Sequence, residues 1–189
     1  MINFKNIILF SFITSITCCK AQTQTLPLNT GVLDIPQNAY VKDLNNELTP
    51  YVGTYKASFQ GKEITLYITK EENKLVKRAN QQFYRDALVV KYIVKNSAGT
   101  TLQDTKNNNL PKIYIYSTKM KSQNSVVFIY SGTNCRVGWG DIYLTKVNST
   151  QISWEYRPDD IILENSKCPP GTDINIYLPE TKDLIFTKQ

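Results

Sequence analysis

The chain contains no histidine. That absence removes the Ser-His-Asp arrangement and the histidine general base. Carboxylates are then the residues left to move protons. Asp141, Glu155, Asp159, Asp160 and Glu164 fall close together in sequence, and glycoside cleavage needs two carboxyl groups across a sugar. Three of the five belong to "RPDDIILEN", where proline and aspartate are favoured by turn geometry alone. The cluster therefore reads first as a turn between strands, and an enzyme using Asp141, Glu155 or Asp159 ranks third among the functional readings. The turn lacks the alternating Asp/Asn ligands of a calcium loop, and no glycine-rich phosphate cradle occurs. No metal or other cofactor is implied, and the expected function is non-catalytic.

The remaining reactive residues are four cysteines. Cys18 and Cys19 close an apolar run, Ile7 to Thr17, that follows Lys5. Such a run is shorter than the roughly 20 residues a bilayer span requires, but it suits an export signal. Cys19, preceded by Ile16, Thr17 and Cys18, fits a box whose cysteine becomes thioether-linked to diacylglycerol. Cys18 fits that box less well, and ordinary cleavage after Ala21 is a third option. Cys19 as anchor gives a soluble domain held by lipid at the cell envelope, on its outer membrane. Cleavage after Ala21 would instead give a periplasmic or secreted protein. Cys135 and Cys168 then remain for the exported domain, and an oxidising compartment favours a disulfide between them. It closes a loop of about 33 residues and adds roughly 3 to 4 kcal/mol. Zinc is disfavoured, since there is neither histidine nor a C-x-x-C spacing.

The elements that must carry these residues are strands. Apolar content of 41% and charged content of 20% belong to a globular chain. The formal charge of +6 is spread thinly; the densest stretch, "KEENKLVKR", is broken by Glu71 and Glu72, so nucleic acid is excluded as a partner. Residues 1–19 read as signal, 20–37 as a polar tether that can lie against the domain, and 38–189 as one all-β domain. "NAYVKDLNNEL" spaces Tyr40, Leu44 and Leu48 by four residues behind Asn38, which predicts one short N-terminal helix over 38–48, stopped by Pro50. Beyond it, "TYKASF", "EITLYIT", "ALVVKYIV", "KIYIYST", "SVVFIYS", "DIYLTKV", "QISWEYR", "DINIYLP" and "DLIFTKQ" alternate with polar linkers such as "EEN" and "NST". Short linkers force antiparallel neighbours. The result is a meander closing into a lipocalin-like barrel, with a β-sandwich as the alternative.

Twelve tyrosines and two tryptophans suggest what such a barrel holds. An interior lined by Tyr55, Tyr67, Tyr92 and Trp154 could accept an apolar small molecule or lipid. The same residue types on the outer face would instead meet an envelope protein or glycan, as in an assembly component, an inhibitor or an immunity-type protein. Core filling by the aromatics is the plainer alternative.

"CKAQ", "PLNT", "DIPQNAYVKDLNNELTPYVGTYKASFQGKEITLYI", "YRDALVVKYIV", Cys135, "ISWEY", Cys168 and "LIFTKQ" together resemble a family of small exported proteins and lipoproteins of Bacteroidota, catalogued as domain of unknown function 6705. The resemblance runs from Cys19 to the end, with Tyr55 standing where the family usually has Trp in its Gly-Thr-Trp. It implies Cys19 as the junction cysteine and an envelope location, and it brings no activity, substrate or catalytic residue. Gly53-Thr54-Tyr55 also resembles the Gly-x-Trp of lipocalins, a three-residue likeness.

Overall fold

Alternation of β-branched and aromatic residues with polar ones dictates strands, and eleven form among the described residues. The computed structural model describes residues 24–108, 110, 112–164 and 166–189. In chain order the strands are β1 Thr25–Pro27, β2 Tyr40–Lys42, β3 Gly53–Phe59, β4 Lys62–Arg78, β5 Gln81–Lys95, β6 Thr101–Asp104, β7 Ile115–Ser122, β8 Ser125–Tyr130, β9 Gly140–Lys146, β10 Gln151–Pro158 and β11 Leu184–Lys188.

Each of β3, β4, β5 and then β7 to β11 pairs antiparallel with its sequence neighbour. The ring closes where β11 meets β3, with Thr187 opposite Lys56. Eight strands therefore form a closed up-and-down barrel, which leaves no unpaired sheet edge in the ring. The sandwich alternative does not occur.

One long strand organises the rest. A single edge of β5 receives β2 at Tyr84 and Arg85, β7 at Val89 and Val90, and β6 at Ile93 to Lys95. The lower halves of β4 and β5 thus project beyond the ring and carry β2, with β1 parallel beside it. The polar leader expected as a tether lies against this extension from residue 24 onward, burying Leu28 and Ile35 at 3% exposure each.

Alternate residues of each ring strand face inward. Tyr55, Leu66, Tyr92, Phe128, Ile142, Trp154 and Phe186 are all buried. Side chains of this size contribute about 1.5 to 3 kcal/mol each on full burial.

Three sequence expectations are corrected. The helix over 38–48 does not form; Tyr40–Lys42 is a strand. Pairing along β5 overrides the four-residue spacing: the Asn38 and Tyr84 N–H groups donate to Gln82 and Ala39 carbonyls, each at 2.8 Å. Leu44, the middle of the expected apolar stripe, is 58% exposed. The "EEN" linker is no turn, because β4 runs through it with a bulge between Glu71 and Lys74. "DINIYLP" is not a strand. β10 and β11 already pair with each other there, and Asp173 instead folds the segment locally, accepting from the Asn175 N–H at 3.0 Å and the Tyr177 hydroxyl at 2.8 Å.

Candidate functional site

The barrel interior is occupied by its own aromatic side chains. Tyr92 meets Tyr130 edge-on at 6.4 Å, Tyr130 meets Tyr156 at 5.8 Å, and Trp154 packs against Tyr156 at 6.3 Å and Phe186 at 5.6 Å. Their polar ends are used at one mouth of the ring. The Tyr92 hydroxyl donates to Gln103 Oε1 at 2.7 Å and lies 3.1 Å from the Tyr130 hydroxyl. Gln103 in turn donates to Thr133 Oγ1 at 3.1 Å, which links β6 to the β8–β9 loop. Trp154 Nε1 donates to the Pro179 carbonyl at 2.9 Å, and the Tyr156 hydroxyl donates to the Gly138 carbonyl. Gly138 holds φ +70°, a left-handed conformation cheap only for glycine. Burial pushes the Tyr130 phenol up to about 12 and, aided by its neighbour Tyr130, raises Tyr92 well above the ordinary range. Both phenols therefore stay protonated at physiological pH.

Of the four residues expected to line a ligand cavity, Tyr55, Tyr92 and Trp154 are brought together inside, each at most 1% exposed. Tyr67 is not with them. It lies between inward-facing Leu66 and Ile68 on the opposite face of β4, where the Lys106 ammonium covers its ring at 5.3 Å. The carboxylates divide too. Glu155 on β10 pairs with Arg157 at 2.7 Å and Lys182 at 3.8 Å. Asp141 stands across from Arg157 on β9, so both belong to an outer charged ladder. Asp159 and Asp160 line a shallow cleft of about 300 Å³ whose wall includes Ile161 and Leu163.

Open volume lies outside the ring, at the sealed mouth. The β8–β9 loop and the long segment between β10 and β11 are joined by the Cys135–Cys168 disulfide, with Cα atoms 5.4 Å apart. That pairing agrees with the sequence expectation, and such bonds persist in oxidising compartments. Between these loops is a cleft of about 600 Å³. Ile161, Ile162 and Leu163 form its apolar wall, while Lys112, Arg136 and Lys167 supply cations. Ile162 is 89% exposed and Leu163 45%. The Arg136 guanidinium rests over the Trp139 ring at 5.5 Å, and Lys167 is partly offset by Glu164 at 3.0 Å. An apolar wall with cations beside it suits a molecule with an apolar body and a polar or anionic end.

Sequence reasoning missed this cleft, although its signal is visible. "IIL" is an apolar triplet inside the polar, proline-bearing "RPDDIILENSKCPPGTD", outside any strand alternation and close to a bridging cysteine. The expected lipid anchor Cys19, its rival Cys18 and the 1–19 signal lie outside the described residues. Among the described residues, no helix is long and apolar enough to cross a membrane.

The chain belongs to the family described as "Family of unknown function (DUF6705)", which matches residues 1–189. No curated protein and no solved structure matches it.

Proposed function

From that family membership and the filled, loop-sealed barrel, we propose that this protein is a non-catalytic binding domain of the cell envelope. It is exported, carries lipid on Cys19, and holds an apolar small molecule or lipid with an anionic end in the cleft beside the disulfide. The observation that carries this reading is the cleft itself: about 600 Å³, with Ile162 left 89% exposed beside Arg136 and Lys112. Exposed apolar surface rimmed by charge marks binding sites. The barrel supplies rigidity, and its aromatic interior supports the mouth rather than enclosing the ligand. Glu155 serves ion pairing with Arg157 and Lys182, and no reaction is assigned to Asp141, Glu155 or Asp159.

A second reading has the same surface meeting an envelope protein or glycan. It is favoured by Ile174 at 36% and Tyr114 at 46% exposure, which add apolar area on the segments carrying the cleft residues Thr172 and Lys112.

Titration of the purified protein with a fluorescent long-chain fatty acid tests the first reading. Saturable one-to-one binding is expected, weakened about tenfold or more by Ile162→Asp, which puts a charge on the apolar wall. Because Ile162 is exposed, the variant folds. Binding equal in both proteins would place the ligand elsewhere, and no binding by the wild type would turn the search to a macromolecular partner.

A further inference from the structure

Arg85 sits where an arginine is costly. It lies on β5 in the extension beyond the ring and is 4% exposed. A guanidinium has five N–H donors, yet among the described residues Arg85 has one acceptor, the Leu28 carbonyl, 3.3 Å from Nη2. No ion pair among the described residues includes it. The Phe83 ring, 6.0 Å away, adds a weak cation–π contact at most. Burial, with the nearby Arg78 charge adding to it, pulls the Arg85 guanidinium down to about 10. An unpaired buried charge costs several kcal/mol, so a missing counter-charge is the plain physical expectation.

The surroundings show where it would bind. Arg85 lines a cleft of about 260 Å³ bounded by the 30–32 segment, the β4–β5 extension and the outer face of β7 to β9. Arg78 and Lys119, both exposed, line it too, together with Tyr116 and the single carboxylate Asp141. Three cations against one carboxylate leave two positive charges unbalanced. A phosphate monoester carries about −1.5 to −2 at neutral pH, and arginine grips such oxyanions through two parallel N–H donors.

We propose that this cleft is a binding site for a doubly charged tetrahedral oxyanion, a phosphate monoester or free phosphate, seated on Arg85 with Arg78 and Lys119 at its opening. The site is separate from the cleft beside the disulfide. It is assembled only because residues 24–42 fold onto β5, so occupancy also locks that segment in place.

Inorganic phosphate and vesicles containing phosphatidic acid are the probes, each set against sodium chloride of equal ionic strength. Phosphate at millimolar concentration is expected to raise the unfolding midpoint by mass action. The double variant R78S/K119S is expected to weaken binding about tenfold through lost charge. Arg85→Met is expected to abolish the response while leaving the ligand-free protein as stable or more so, as replacing a buried charge by an isosteric apolar group often does. Should Arg85→Met fail to fold, Arg85→Lys tests the same point, since it keeps the charge and loses the two-pronged grip. An Arg85-dependent response to phosphate identifies a free oxyanion site, and one confined to the vesicles identifies a lipid headgroup. A response that survives both Arg85 variants, or no response to either probe beyond chloride, overturns the proposal.

Discussion

A hydroxyl buried without an acceptor costs free energy, and Tyr51 carries one: among the described residues its oxygen has no hydrogen-bond partner. A backbone donor beside it, the Lys146 N–H, is already given to the Asn124 carbonyl at 2.7 Å. Burial pushes the Tyr51 phenol up to about 12. Tyr92 is the contrasting case, with its hydroxyl spent on Gln103 and Tyr130. Tyr51→Phe should leave stability unchanged or raise it by up to about 1 kcal/mol, whereas Tyr92→Phe should cost about 1 to 2 kcal/mol. Urea unfolding of the two variants checks this, and a loss in Tyr51→Phe as large as in Tyr92→Phe would show that the Tyr51 hydroxyl is satisfied. At this scale the sequence was partly readable. The alternation in "ITLYI" sets Tyr67 apart from Ile64, Leu66 and Ile68 by face. Nothing in the pattern says that Arg85, an ordinary charged residue beside Asp86, is buried, because the covering segment is more than 40 positions away.

At the scale of elements, the β4–β5 extension depends on two buried carboxylates. Asp86, 2% exposed, accepts from the Tyr40 hydroxyl and from the Asp43 and Asn73 N–H groups, the latter two at 3.0 Å. Asp43 accepts from the Glu47 N–H at 2.7 Å and pairs with Lys70 at 2.8 Å. Together they tie β2 to the bulge in β4. That bulge is where "EEN" resembles a turn and is none: the Asn73 N–H, freed from the ladder, donates to Asp86 instead. Burial alone would raise the Asp86 carboxyl, but the hydrogen bonds from Tyr40, Asp43 and Asn73, with Lys70 nearby, hold it below the ordinary range. A depressed folded-state value means that the stabilisation is complete above the unfolded value, about 3.9, and is lost as pH falls through the lower folded value. The unfolding midpoint should therefore be flat from about pH 8 to pH 5 and drop below about pH 4. Asp86→Asn should lower the plateau and make the acid limb shallower. An acid limb identical in wild type and variant would remove Asp86 from this role.

At the scale of the whole molecule, an all-β meander was legible because short polar linkers leave consecutive strands only antiparallel partners. A closed ring and a sandwich both satisfy the same alternation, and β11 meeting β3 decides between them. The mouth was not legible, because "DINIYLP" has strand composition but no free edge to join. Its Pro179 carbonyl receives Trp154 Nε1 and its Leu178 is buried. A filled ring with loops stapled across one end by a disulfide is a platform, and the proposed ligand sits on it rather than in it. The direct test is the mass of the protein isolated from its own cells, recorded under native and then denaturing conditions, for wild type and Ile162→Asp. An added small-molecule mass is expected on the wild type, lost on denaturation and absent from the variant. A bare wild-type mass, or an added mass retained in full by Ile162→Asp, would contradict it.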